Sequence, residues 1–249
     1  MLALRSLLFL LFEIATVIPF AFLSVLILPL PLHTRYYLVM KWPGLMIWAA
    51  RFICGVRWEM RGTEHLPDGP CVLLSKHQSA WETMFIPSHM PREVCFVYKR
   101  ELHYVPFFGW GLASLRMIHI NRNEGRGAFE SVVSQGSQRL AEGRWIIMFP
   151  EGTRVPVGER RPYKQGGTRL AARLNVPVVP IAHNAGVCWP RNSFIKRPGL
   201  ITVSIGAPIA SVGKTSDALM AEVESWIEAE SGRLLEGSVK RHDASQVPA

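Results

Sequence analysis

The sequence predicts an α/β fold, a mixed β-sheet flanked by helices, carrying an N-terminal membrane-anchoring helix or helix pair. Two observations lead there. Between residues 56 and 231, short apolar runs rich in β-branched and aromatic residues alternate with longer stretches of helical period, the pattern of a sheet covered by helices. Ahead of them, the 27 residues from Ser6 to Leu32 hold a single charge, Glu13, and exceed the roughly 20 apolar residues a helix needs to cross the hydrocarbon layer.

The apolar segment is too long for a cleaved signal peptide, and no small-residue cleavage site follows it. Pro19 within it and Pro29 and Pro31 at its end can kink it, so a full crossing and a dip into one leaflet are both open. From Trp42 to Trp58, Trp42, Trp48 and Trp58 interleave with Lys41, Arg51 and Arg57, the composition of an interfacial helix or of a core helix with a wet edge. His33, Arg35 and Lys41 follow the first segment, and positive charge there sets an expectation of an inner-membrane protein whose bulk faces the cytoplasm. Strands are expected near 56–61, 70–75, 94–98, 115–120, 144–149, 177–182 and 200–205, and helices near 79–89, 125–141, 165–174 and 215–231. The chain thus divides into an anchoring segment (1–55), an α/β domain (56–235) and a flexible polar tail (236–249).

With 249 residues, 49% of them apolar, the chain can bury one full core. Its 28 Lys+Arg against 19 Asp+Glu give a net charge of +9 and favour anionic partners. The apolar segment makes that partner membrane phospholipid, and without a nucleic-acid-binding signature the reading includes no nucleic acid. Cys54, Cys71, Cys95 and Cys188 have no C-x-x-C pairing and no clustering with histidine, so they read as buried, idle thiols in a reducing compartment, and no metal is invoked.

Chemistry concentrates in three places. After the apolar run Pro70–Leu74 comes Ser75-Lys76-His77-Gln78-Ser79-Ala80-Trp81-Glu82, with four residues between the histidine and the acid. An imidazole oriented by a carboxylate can take a proton from a hydroxyl. On one regular helix the two side chains would point about 140° apart, so His77 belongs in the turn before the helix that carries Glu82. Ser79 and Glu82 also fit a capping box, a role compatible with the first. Second, Phe149-Pro150-Glu151-Gly152-Thr153-Arg154 follows another strand: Gly152 permits close approach to the backbone, Thr153 brings a hydroxyl, and Arg154 a permanently charged fork suited to phosphate. Arg160, Arg161, Lys164, Arg169 and Arg173 add positive charge behind it. Third, Arg122 ends a strand and offers a second guanidinium for the same anion. The run Val176–Ile181 is a core strand or, less simply, the wall of an alkyl groove.

In order and spacing these elements resemble the glycerolipid acyltransferase family, specifically bacterial 1-acylglycerol-3-phosphate acyltransferases, over residues 60 to 210. The resemblance implies His77 as base, Glu82 in the place of the family's acid partner, and Arg122, Glu151, Gly152, Thr153 and Arg154 on the glycerol phosphate of the acceptor. It implies lysophosphatidic acid as acceptor, acyl-CoA or acyl carrier protein as donor, phosphatidic acid as product, and no cofactor. Two positions depart from the family pattern: the acid is glutamate where aspartate is usual, and Lys76 stands where asparagine often precedes the histidine. Rival readings are another lysolipid acceptor such as a lyso-ornithine lipid, an acyl-enzyme on Ser75 or Ser79, and a non-catalytic module that binds anionic lipid.

Overall fold

A computed structural model describes residues 1–105 and 108–244, the side chains at 108, 122, 126 and 239–244 excepted. Seven strands, β1 (Val56–Arg61), β2 (Val72–Ser75), β3 (Val94–Lys99), β4 (Ile118–Ile120), β5 (Trp145–Met148), β6 (Val178–His183) and β7 (Gly199–Ile205), form one sheet in the order β1-β7-β6-β2-β5-β3-β4. Strands β6, β2, β5, β3 and β4 run the same way, and β7 turns back antiparallel to β6 with β1 parallel to β7. The sheet is therefore mixed.

Parallel neighbours need crossovers, and the helices supply them. They are α3 (Trp81–His89), α4 (Phe108–Ser114), α5 (Arg126–Ala141), α6 (Gly166–Leu174), the short α7 (Ala185–Cys188) and the final α8 (Ser216–Ala244). β2 shows why its sequence is apolar throughout rather than alternating: Val72 and Leu74 pack with Leu170, Val223 and Ile227 on one face, and Cys71 and Leu73 with Phe85 and Met46 on the other. β6 is buried from end to end between β2 and β7, so Val176–Ile181 ends in a core strand and lines no groove.

The N-terminal segment is a helix pair, α1 (Leu2–Leu26) and α2 (Leu32–Cys54). Helix α1 runs through Pro19, and the break comes instead at Ile27–Pro31, where Pro29 and Pro31 cannot donate to a helical ladder. The second element begins ten residues before the expected Trp42 and stops at Gly55, whose φ of +74° and amide bond to Arg51 O make a left-handed cap. Arg57 and Trp58 thus belong to β1. The pair is not a detached anchor: Ser6 accepts a bond from the Lys196 amide at 3.0 Å, Phe9 meets Trp189 edge-on at 5.1 Å, and Met46, Ile47 and Ala50 share a core with β6 and β7. The outer side of α1 exposes Leu4, Leu8, Leu11, Ile18, Phe22 and Leu26. Among the described helices it alone is long and apolar enough to cross a membrane.

Two expected boundaries shift, and two elements are new. The strand placed at 115–120 shrinks to Ile118–Ile120, because Leu115–Met117 form the turn leaving α4, with Arg116 at φ +50°; Leu115 and Met117 are nonetheless buried, which is what their apolarity signalled. The last helix continues past residue 231 to Ala244, so much of the expected loose tail is helical, and 245–249 lie outside the described residues. Helix α4 and the 3-10 turn Arg100–Tyr104 were not legible as elements.

Candidate active site

The carboxyl ends of β6, β2, β5, β3 and β4 share one edge of the sheet, where open α/β sheets place their ligands. The register β2–β5 sets Leu74 beside Met148, so the chain emerges from these two strands as Lys76-His77 and Phe149–Glu151 side by side. The loops are then tied: His77 N–H donates to Glu151 Oε2 at 2.7 Å, and Val155 N–H donates to His77 O at 2.8 Å. Two segments 72 positions apart in sequence thus become one unit.

Helix α3 begins at Trp81, which leaves His77 in the preceding turn and Glu82 in the first helical turn, as the angular argument requires. Glu82 Oε1 lies 2.9 Å from His77 Nδ1 and accepts the amides of Gln78 at 2.9 Å and Ser79 at 2.8 Å. Of the expected capping box only the glutamate half forms, Glu82 accepting the Ser79 amide, while Ser79 Oγ accepts from Trp81 N–H and the helix is capped at Ala80; that half and the histidine contact coexist on one carboxylate. The longer glutamate reaches the imidazole without difficulty, yet all three donors converge on Oε1, and Oε2 is buried with no hydrogen-bond partner among the described residues.

Burial works to raise the Glu82 carboxyl, but His183, the His77 hydrogen bond and the Ser79 amide outweigh it and hold the group below the usual carboxylate range. His183 contributes only when protonated, and burial depresses its own value; in its neutral form Nε2 donates to Lys76 O at 2.8 Å and Nδ1 accepts from Ala185 N–H. Near neutral pH the ionised state of Glu82 therefore rests on His77 and the two amides. An ionised Glu82 fixes the His77 proton on Nδ1 and leaves Nε2 with its lone pair. The ring stacks on Phe149 at 4.1 Å and 19°, which restrains its rotation, while the side chain keeps 14% of its surface open. Nε2 has no partner among the described residues.

The other predicted site residues divide. Gly152 turns the loop at φ +69°, where a side chain would be strained and its Cβ would lie 2.8 Å from Lys164 Nζ. Thr153 and Arg154 are half-buried beside it, and Arg154 makes no ion pair with a described residue, so its charge is available to a ligand. Glu151 is placed differently from Arg154. Its carboxylate is fully buried, with Oε1 2.8 Å from Lys76 Nζ and Oε2 on the His77 amide, so it ties the two loops together. Burial pushes its carboxyl up against the lowering influence of Lys76. The side chain of Arg122 lies outside the described residues. Its backbone follows β4, whose last residue Ile120 pairs with Lys99 of β3, and β3 in turn separates β4 from β5 along the same edge.

Sequence reasoning missed several contributors. Phe149 was read as part of a motif without a task. Lys76, noticed only as a departure, is buried between Glu151 and Glu228. His183 and Gln78 support the loop from β6 and α7, Gln78 Oε1 accepting the Gly186 amide. A histidine at the end of an apolar strand was the signal for His183. Ser75 and Ser79, the alternative nucleophiles, are fully buried, with Ser75 Oγ donating to Lys76 O and Ser79 Oγ accepting the Trp81 amide. The four cysteines are buried free thiols, burial pushing Cys71 up to about 12 and Cys188 to about 11.

Comparisons with known proteins show the family. An acyltransferase family model matches residues 57–184. The 1-acyl-sn-glycerol-3-phosphate acyltransferase of Pseudomonas aeruginosa is 44% identical over 230 residues, 90% of this chain and 89% of that one. The human 1-acyl-sn-glycerol-3-phosphate acyltransferase alpha is 31% identical over 206 residues, 80% of this chain and 72% of its own. A crystal structure of the 1-acyl-sn-glycerophosphate (LPA) acyltransferase PlsC from Thermotoga maritima superposes with a TM-score of 0.76 at 21% identity, covering 94% of this chain and 98% of that one, a likeness of fold. With the family model matching residues 57–184 and the Pseudomonas relative matching over about nine-tenths of both chains, the chain belongs to the acyltransferase family, in its bacterial 1-acylglycerol-3-phosphate acyltransferase branch, and is an O-acyltransferase.

Proposed function

We propose that this chain transfers a fatty-acyl group from an acyl thioester to the 2-hydroxyl of 1-acylglycerol 3-phosphate, giving phosphatidic acid. The observation that supports it most is the His77 ring, fixed at Nδ1 by Glu82 and open at Nε2 beside a loop whose Arg154 makes no ion pair with a described residue. Nε2 takes the hydroxyl proton as the acceptor oxygen attacks the thioester carbonyl; the C–S bond breaks, and the thiolate leaves with the proton returned by the imidazolium. Glu82 stabilises that imidazolium. Arg154, with Arg122 from the end of β4 two strands away, holds the acceptor phosphate, and Gly152 and Thr153 shape the backbone around it.

The donor, acyl-CoA or acyl carrier protein, carries its own anionic groups toward a basic loop that includes Arg160, Arg161 and Lys164. The setting is the inner membrane, with the α/β domain on its cytoplasmic side. Arg5 at the start of α1 donates to Ile53 O near the end of α2, so both outer ends of the pair lie together on the domain and the hairpin enters the lipid from one side. The exposed leucine stripe of α1 then brings the site to the surface where the amphiphilic acceptor is concentrated. Purified protein given labelled acyl-CoA or acyl carrier protein and a panel of lysophosphatidic acid, glycerol 3-phosphate and lyso-ornithine lipid tests the assignment. Preferential acylation of lysophosphatidic acid is expected. Preference for a phosphate-free acceptor refutes the arginine role, and binding to vesicles without turnover leaves only a lipid-binding module.

A further inference from the structure

His77 is set by more than Glu82. Lys76, its chain neighbour, carries a charged side chain with only 2% of its surface exposed. Its ammonium lies 2.8 Å from Glu151 Oε1 and 2.6 Å from Glu228 Oε1, the latter on the final helix α8. Glu228 Oε1 also accepts the Tyr163 hydroxyl at 2.7 Å, and Arg160 approaches Glu228 Oε2 at 3.4 Å from the solvent side. Three segments far apart in sequence meet around this ammonium: the loop after β2, the connection from β5 to α6, which supplies both Glu151 and Tyr163, and α8. Glu151, held by that ammonium through one oxygen, accepts the His77 amide with the other. Buried charge persists only when paired this closely, and an ammonium between two carboxylates gives each of the three one favoured position.

We propose that Lys76 and Glu228 are positioning residues of the acyl transfer: α8 fixes Lys76, Lys76 fixes Glu151, and Glu151 fixes the backbone of His77 and hence the direction of its open ring nitrogen. The inference rests on the reading of His77 as the base. Lys76→Met removes the ammonium and leaves two buried carboxylates facing each other. Glu228→Gln keeps the shape and removes one charge. In the double variant the repulsion created by the first change is relieved, so the two effects do not multiply.

Full-length Lys76→Met, Glu228→Gln and the double variant, with wild type beside them, are assayed for kcat and KM per folded molecule, and the peptide containing His77 is followed by hydrogen–deuterium exchange. Expected for Lys76→Met are a kcat lowered about tenfold or more, a KM for lysophosphatidic acid within about twofold, and amide exchange at His77 accelerated about tenfold, with Glu228→Gln showing the same signs more weakly. The double variant is expected to lose no more than Lys76→Met alone. Unchanged exchange at His77, unchanged kcat per folded molecule, or losses that multiply in the double variant would overturn the proposal. Should Lys76→Met fail to fold, Glu228→Gln decides on the same two readouts. Retained activity in His77→Ala rejects the base assignment separately, because the exchange readout does not depend on catalysis.

Discussion

Two histidines end neighbouring strands of the same sheet, His77 after β2 and His183 in β6, and the fold treats them in opposite ways. His183 is 1% exposed, and both of its ring nitrogens are committed to backbone groups, so it has no lone pair to offer. His77 has one nitrogen fixed by a carboxylate and the other open beside a basic loop. The lesson is that a strand-end histidine becomes a base through asymmetry, one nitrogen oriented and one left free. Burial alone produces a structural residue. Each position can be changed independently, and the contrast predicts separate consequences.

The largest effect is expected at His77. Replacing it by alanine removes the base and should lower turnover by about 10²–10⁴-fold, with vesicle binding retained in a flotation assay. Next comes Glu82→Ala, which frees the tautomer and opens an unfilled site under three donors; a loss of about 10²-fold or more in kcat is expected with little change in acceptor KM. A KM effect without a kcat effect would place Glu82 on the substrate instead. Arg154→Ala should act the other way, raising KM for the phosphate-bearing acceptor by roughly 10–100-fold, as for a lost charge-assisted bond worth about 1.5–3 kcal/mol.

The smallest effect on catalysis is expected at His183. His183→Gln should leave kcat within a few-fold and lower stability by about 1–3 kcal/mol through the disturbed contact to Lys76 O. Its folded value is depressed, so the unfolded chain binds more protons as pH falls below about 6.5, and its contribution to stability is present above that pH and lost on acidification. The glutamine variant should therefore show a flatter thermal-denaturation profile between neutral pH and about pH 5. Glu82, also depressed, loses its contribution only as pH drops further, through its own folded value.

Much of this site was legible because its parts are local. His77 and Glu82 lie within one turn of chain, and the glycine-arginine loop leaves its strand directly. The alternation of runs predicted the layers of the sheet, since β2, β5 and β6 are buried on both faces and read as unbroken apolar segments. The role of Glu151 was not legible. A carboxylate in an exposed-looking polar loop gives no sign that Lys76 and α8 will close over it, and that closure depends on residues 74 and more positions away. For the same reason Lys76 registered only as a deviation from a pattern. The starting point of α2 was misjudged because Leu32–Met40 packs only partly against the domain, through Tyr36 on Val94 and Pro87, and shows no clean period.

The central claim is tested most directly by the turnover of His77→Ala with a labelled acyl thioester and lysophosphatidic acid, read beside His183→Gln and wild type at matched folded fraction. The account predicts near-complete loss of phosphatidic acid formation for His77→Ala and near-wild-type turnover for His183→Gln. Comparable activity in His77→Ala and wild type, or loss confined to His183→Gln, would contradict it.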